Sequence, residues 1–219
     1  FGAELASRGK IFGDRLDFTD NFGTGLYVSI PTGFNQPTVI QRGTFFSNSG
    51  TGLLLEVDGP VTLNGISAND NTGYGAFVDN RTSAGAAVNL LSSLGPNSFN
   101  SNSWSGMRVL SSGPISLSNV TANENGRNGV SLNNFHSGAG TGNITLNNVT
   151  ANRNIGVEAG ITAGISATTN GQVIGSNLRA MLNGTGTAGW GIYIKTVNNN
   201  ASLSNSAVTS HRNSGIFAY

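Results

Sequence analysis

Val61-Thr62-Leu63-Asn64-Gly65-Ile66-Ser67-Ala68-Asn69-Asp70-Asn71 returns as Ile115-Ser116-Leu117-Ser118-Asn119-Val120-Thr121-Ala122-Asn123-Glu124-Asn125. It returns again as Ile144-Thr145-Leu146-Asn147-Asn148-Val149-Thr150-Ala151-Asn152-Arg153-Asn154. A self-similar period of roughly 30 residues is the signature of a solenoid, in which each repeat buries its apolar face against its neighbours. Working outward, the apolar residue that closes the first segment of each unit falls at Ile40, Leu63, Leu90, Leu117, Leu146, Ile174 and Leu203. The steps lengthen along the chain from roughly 23 to roughly 29 residues, within the range of one solenoid coil. A degenerate earlier turn through Ile11 and Phe12 brings the expected number of coils to about eight, in one domain spanning 1–219. Residues 1–37 are expected to form an irregular first coil or cap, and 38–219 the regular coils.

Each unit reads as three short segments with the period-two alternation of a half-buried strand. The first is of the Ile-Thr-Leu type. The second, of the Val-Thr-Ala type, ends in a small inward residue at Ala68, Ser101, Ala122, Ala151 and Ala180. The third is Gly-apolar-any-apolar, as in Gly25-Leu26-Tyr27-Val28 and Gly75-Ala76-Phe77-Val78. Its sixth copy reads in two registers, Gly160-Ile161-Thr162-Ala163 or Gly164-Ile165-Ser166-Ala167. No segment of useful length has a helical period. Stacked coils place each strand about 4.8 Å from its counterpart, so eight coils make a rod roughly 38 Å long. Asn71, Asn125, Asn154, Asn183 and Asn213 recur after the second segment. Asn tolerates the left-handed conformation of a turn there, and stacked amides can hydrogen-bond along the axis as a ladder.

This wording resembles the right-handed parallel β-helix of the pectin-lyase-like kind. The Asn-Val-Thr-Ala-Asn-x-Asn and Asn-Gly-Val phrases resemble the β-helix repeats of large bacterial surface and secreted proteins. The resemblance covers 38–219 well and 1–37 poorly. It implies an all-β fold and an extracellular or cell-surface location. The catalytic branch of the pectin-lyase-like family sets a test that this chain does not meet. The Asn-Thr-Asp strand, Asp pair, Gly-His-Gly and Arg-Ile-Lys of its polygalacturonases have no counterpart, and Tyr193-Ile194-Lys195 lacks the Arg. No catalytic residue and no cofactor is assigned.

Composition narrows the function further. Only 10% of the 219 residues are charged and 37% are hydrophobic, with 32 Gly and no Cys. Soluble proteins average about 25% charged residues, so this surface is neutral and hydrogen-bonding. A net charge of +1 without a basic run lacks the footprint of a nucleic-acid binder. No run of about 18 apolar residues is present to span a bilayer. The absence of Cys excludes disulfides and thiolate metal sites. The start at Phe1 suggests a processed or excised segment of a longer precursor.

Among ten acidic residues, no adjacent pair is visible for glycoside hydrolysis, which generally uses two carboxylates at one cleft. Asp14, Asp17 and Asp20 are the densest group. They read as oxygen ligands for Ca²⁺ on a loop, or as a solvated capping segment. Asp70, Glu124, Arg153 and Arg212 share one repeat position, which predicts a stacked Glu124–Arg153 ion pair. His136 and His211 are far apart in repeat phase, with His211 near the outward Asn69/Asn123/Asn152 position.

The middle residues of the third segment are expected to face outward. They include Tyr27, Leu54, Phe77, Tyr193 and Phe217, and Thr162 in the first of the two registers. An exposed apolar stripe marks a contact surface: a neighbouring subunit, a sugar ring, or a covering loop of the same chain. The chain finishes on an uncapped third segment, Ser214-Gly215-Ile216-Phe217-Ala218-Tyr219. Either a longer β-helix continues it, or it pairs with the start of the next molecule. The second option makes Ile216, Phe217, Ala218, Tyr219 and Phe1 the self-association residues of a head-to-tail homopolymer. The expected function is therefore a non-catalytic extracellular β-helix that polymerises into a fibre or filament. The alternative is a glycan-binding adhesin module, and a polysaccharide lyase or hydrolase comes third.

Overall fold

The structure is a computed structural model that describes residues 1–135, 142–156, 161–184, 189–197, 199–211 and 213–219. His136, Gly160 and Arg212 lie outside the described residues.

The chain winds into an all-parallel β-helix. Nine strands form one sheet: Ala3–Ala6, Leu26–Ser29, Leu53–Glu56, Ala76–Asp79, Met107–Leu110, Val130–Asn133, Ala163–Thr169, Trp190–Thr196 and Ile216–Ala218. The first and second segments build a twelve-stranded sheet. In three coils they fuse into single nine-residue strands, Thr38–Phe46, Val61–Asn69 and Ile144–Asn152. A residue of positive φ marks the bend between the two halves: Arg42 (51°), Gly65 (67°) and Asn148 (54°). The three separate strands expected per coil are therefore often two.

Strand partners keep one register along the rod, so like residues form columns. Val61, Val88, Ile115, Ile144 and Val173 pair successively and all are fully buried. Burying each such side chain is worth about 1.5–3 kcal/mol. Backbone amides are satisfied by the coil above or below, as at Leu53 N–H to Gly75 O (3.0 Å) and Ala76 N–H to Gly106 O (3.0 Å). Seven coils bury core side chains, from Ile11 in the first to Ile194 in the seventh. The eighth (201–219) buries none among its described residues. The stacked body thus amounts to about seven turns, against eight expected. Residues 1–37 are not irregular: four strands there pair in register with the rest.

Three column assignments change. Leu146 pairs with Gly175, not Ile174. Ile174 faces outward and is 41% exposed. Gly175 leaves room that the methyl groups of Leu178 and Leu203 fill, as Leu16 and Ile40 do beside Gly13. In the fourth coil Ser98 pairs with Thr121, which makes Phe99 the inward residue. Phe99 is fully buried, whereas Ser101 is exposed with φ 56°. In the sixth coil Ser131 pairs with Ser166, so the Gly164 register holds and Thr162 lies outside the stripe.

Candidate interaction surfaces

The Asn residues form a buried ladder, but not quite the one expected. Its rungs are Asn21, Asn48, Asn71, Asn102, Asn125, Asn154 and Asn183. At every step between these rungs, a backbone N–H and an Nδ2–H donate to the Oδ1 of the next rung. Asn71 does so to Asn102 (3.0 and 3.0 Å), Asn102 to Asn125 (3.0 and 3.1 Å) and Asn125 to Asn154 (3.0 and 2.9 Å). The second Nδ2 hydrogen reaches back to a carbonyl of the preceding coil, as from Asn125 to Phe99 O (3.0 Å). The left-handed conformation belongs to the residue before each rung, including Asp70, Glu124 and Arg153. Glu124 and Arg153 stack as the expected ion pair at 3.0 Å.

The final rung is His211 rather than Asn213. Asn183 N–H donates to His211 Nδ1 at 3.2 Å, and His211 Nε2 lies 3.0 Å from Ala180 O. Nδ1 replaces the amide oxygen and Nε2–H replaces the amide N–H, so the bonding assigns the Nε2–H tautomer. Asn213 is exposed, and its N–H donates to Gly189 O (3.1 Å). A second, half-buried ladder runs the other way: Asn100 N–H to Asn69 Oδ1 (2.6 Å), Asn123 to Asn100 (2.8 Å) and Asn152 to Asn123 (2.8 Å).

The ladder also accounts for the Gly that opens the third segment at Gly25, Gly52, Gly75, Gly106 and Gly164. A Cβ on Gly75 would stand 2.5 Å from Gly106 O and 2.7 Å from the Asn102 amide nitrogen. No side chain fits where the ladder passes.

The outer face of the nine-stranded sheet carries the stripe. Its column runs Glu4, Tyr27, Leu54, Phe77, Arg108, Ser131, Ser166, Tyr193 and Phe217. Tyr27, Leu54 and Phe77 are half-buried and Phe217 is exposed. Tyr193, expected to be exposed, is 8% accessible, because Trp190, Phe217 and Tyr219 surround it at 5.4–6.0 Å between ring centroids. Burial and the Tyr219 hydroxyl, 2.7 Å away, push the Tyr193 phenol up to about 12. In the middle of the face, Tyr74 packs on Phe77 (5.4 Å) and Trp104 (4.9 Å) and accepts a hydrogen bond from Arg108 (2.8 Å).

The next outward column differs along the rod. Glu56 and Asp79 are register partners in adjacent coils. They form an acidic pair where none was visible in the sequence. Glu56 accepts from the Tyr27 hydroxyl (2.8 Å), which raises the Tyr27 phenol above its ordinary value. Arg81 grips Asp79 through two nitrogens (2.9 and 2.6 Å). The signal was present: each acid follows its segment's Gly (Gly52, Gly75) at the same short offset. Tyr27, Glu56, Asp79, Arg81 and Pro31 line a groove of about 500 Å³. Farther along, the same column holds Lys195.

Asp14, Asp17 and Asp20 do not converge. Among the described residues no three His, Cys, Asp or Glu side chains could hold a metal ion. Asp14 is paired with Arg42, which holds its carboxyl below the usual range. Asp17 accepts from Thr19 (2.7 Å), and Asp20 occupies a left-handed corner. Of the expected self-association residues, Phe1 (66%), Ile216 (47%), Phe217 (39%) and Tyr219 (56%) are exposed. Phe1 stacks on Tyr27 at 5.5 Å.

The fold and these faces define a parallel β-helix repeat protein. No protein-family model, curated protein or solved structure matches the chain.

Proposed function

We propose that this chain is a non-catalytic structural protein of an extracellular or cell-surface fibre, in which copies stack head to tail along the β-helix axis. The observation that carries the reading is the polarity of the buried ladder. At one end, Asn21 Oδ1 accepts no hydrogen bond among the described residues; at the other, the His211 N–H occupies the position that donates in every earlier rung. A second copy with Asn21 over His211 continues the series. Strands Ala201–Ser204 and Ala207–Thr209 then pair with Ile11–Asp14 and Asp17–Thr19 of that copy by strand addition.

The register bears on which residues would make such a junction. Strand Ala3–Ala6 belongs one level below Leu26–Ser29. In this junction it meets the level of Ile216–Ala218, so one of these two strands must leave the sheet. Joining therefore falls to the twelve-stranded sheet rather than to Phe1, Ile216, Phe217, Ala218 and Tyr219.

Negative-stain electron microscopy with light scattering near neutral pH tests the reading. Filaments with an axial repeat of roughly 38 Å, eight coils at the sheet spacing, are expected. Leu203→Lys sets an inward charge on the terminal strand, a known block to edge pairing. It should abolish filaments and leave the circular-dichroism spectrum unchanged. Filaments unaffected by Leu203→Lys would sink the axial junction.

A second reading, a glycan-binding module, is favoured by the groove at Tyr27. An aromatic ring beside two carboxylates and a guanidinium suits stacking on a sugar and bonding to its hydroxyls. A glycan array with no ligand, or one whose ligands bind Tyr27→Ala equally well, would remove it.

A further inference from the structure

The outer face of the nine-stranded sheet is complementary to itself. Phe77 and Arg108 stand on consecutive strands, supported by Tyr74 and Trp104, and form a ridge. The next two strands carry Ser131 and Ser166 in the same column. There the face sinks into a trough of about 340 Å³, lined also by Thr168, Tyr193 and Lys195. A ridge two coils wide is thus followed by a hollow two coils wide. Outward from this centre, Leu54 and Tyr27 lie on one side, and Tyr193 and Phe217 at equal steps on the other. The neighbouring column has Glu56 at the step of Leu54 and Lys195 at the step of Tyr193.

We propose that this face binds a second copy of the chain side by side, with the two rods antiparallel about a two-fold axis. The axis runs parallel to the strands, between the Arg108 and Ser131 levels. Rotation about it reverses the order of coils and keeps each column opposite itself. Phe77 and Arg108 of one copy enter the Ser166 and Ser131 hollow of the other. Tyr27 meets Phe217, and Glu56 meets Lys195, twice each by symmetry. Charge and shape select the same alignment. Sliding by one coil sets Arg108 against Arg108 in one direction, or Phe77 against Tyr193 in the other, and either slide separates Glu56 from Lys195.

The face is about four residues wide and eight coils long, or roughly 13 by 38 Å. That corresponds to about 1,000 Å² buried in total, at the low end for specific association. The pairing is therefore weak and reversible, and trapping is the suitable assay. It does not depend on axial stacking, since no terminal strand edge takes part.

The chain has no Cys, so Glu56→Cys/Lys195→Cys introduces the only thiols. Within one copy these positions are five coils apart, about 24 Å, beyond the reach of a disulfide. Between copies in the proposed alignment they are opposed. Mild oxidation should give a species of twice the 22.4 kDa chain mass on non-reducing gels. Either single variant should give several-fold less, because 56 faces 195 and not itself. Glu56→Lys, followed in solution by light scattering, should reduce pairing, and Glu56→Lys/Lys195→Glu should restore it. Absence of the cross-link, or equal cross-linking by the single variants, overturns the pairing. Filaments without the 56–195 link sink this proposal alone. The link without filaments sinks the axial reading alone.

Discussion

Asn125 is bonded in every direction its amide allows. Its oxygen accepts two hydrogens from Asn102, and its nitrogen donates to Phe99 O and Asn154 Oδ1. Asn125→Ala strands these partners in a dry interior, where each unsatisfied group costs about 1–3 kcal/mol. A loss of about 3–5 kcal/mol by urea unfolding is expected. Thr38 is the opposite case. It is fully buried between Ile11 and Val61 in its column, and its hydroxyl has no partner among the described residues. Thr38→Val should therefore stabilise by about 1 kcal/mol, and a destabilised variant would show that the hydroxyl is bonded. The ladder was legible because Asn125, Asn154 and Asn183 recur at one constant spacing. His211 was missed because the position demands an acceptor and a donor, and an imidazole supplies both without looking like an amide.

Strands and their connections follow a second logic. Gly75 is required by the Asn102 amide and the Gly106 carbonyl beside it, so Gly75→Ala should force two coils apart. Overpacking of this kind costs about 1–3 kcal/mol, and calorimetry would read it as a lower melting temperature. The connection 31–36 is held by Asp58, 3% exposed, which accepts N–H bonds from Gly33 (2.6 Å) and Asn35 (3.0 Å). These bonds, led by Asn35, lower its carboxyl below the ordinary 3.8. A depressed folded value stabilises above the unfolded value and is lost as pH falls through the folded one. The stability gap between the parent and Asp58→Asn should thus be wide at neutral pH and shrink as the pH falls below the ordinary 3.8. Equal gaps at neutral and strongly acid pH would contradict the account. Alternation located these strands, but not every facing. Ile174 looked inward because its neighbour is Gly175, and the Leu178 and Leu203 side chains that fill the room beside it explain how a glycine can hold a core position. Glu56 and Asp79 escaped notice because residues a full coil apart in sequence become neighbours only once the coils are stacked.

At the scale of the rod, the fold was readable in the repeat. Repetition fixes how coils stack; it says nothing of what the finished faces touch. The overlap of Ala3–Ala6 with Ile216–Ala218 in the proposed axial junction is invisible in the repeat. It predicts that deleting residues 1–9 speeds filament growth, measured by turbidity. Slower growth would mean that the first strand takes part in joining.

The uniform ladder makes each coil an interchangeable unit. Asn125 and Asn154 offer the coil that follows the same amide in the same setting. Excising residues 126–154 brings Asn125 against Asn183 with no broken rung, and should yield a folded protein one coil, about 4.8 Å, shorter. Length in this architecture is therefore a quantity that comes in whole steps, adjustable by duplication or loss of one repeat.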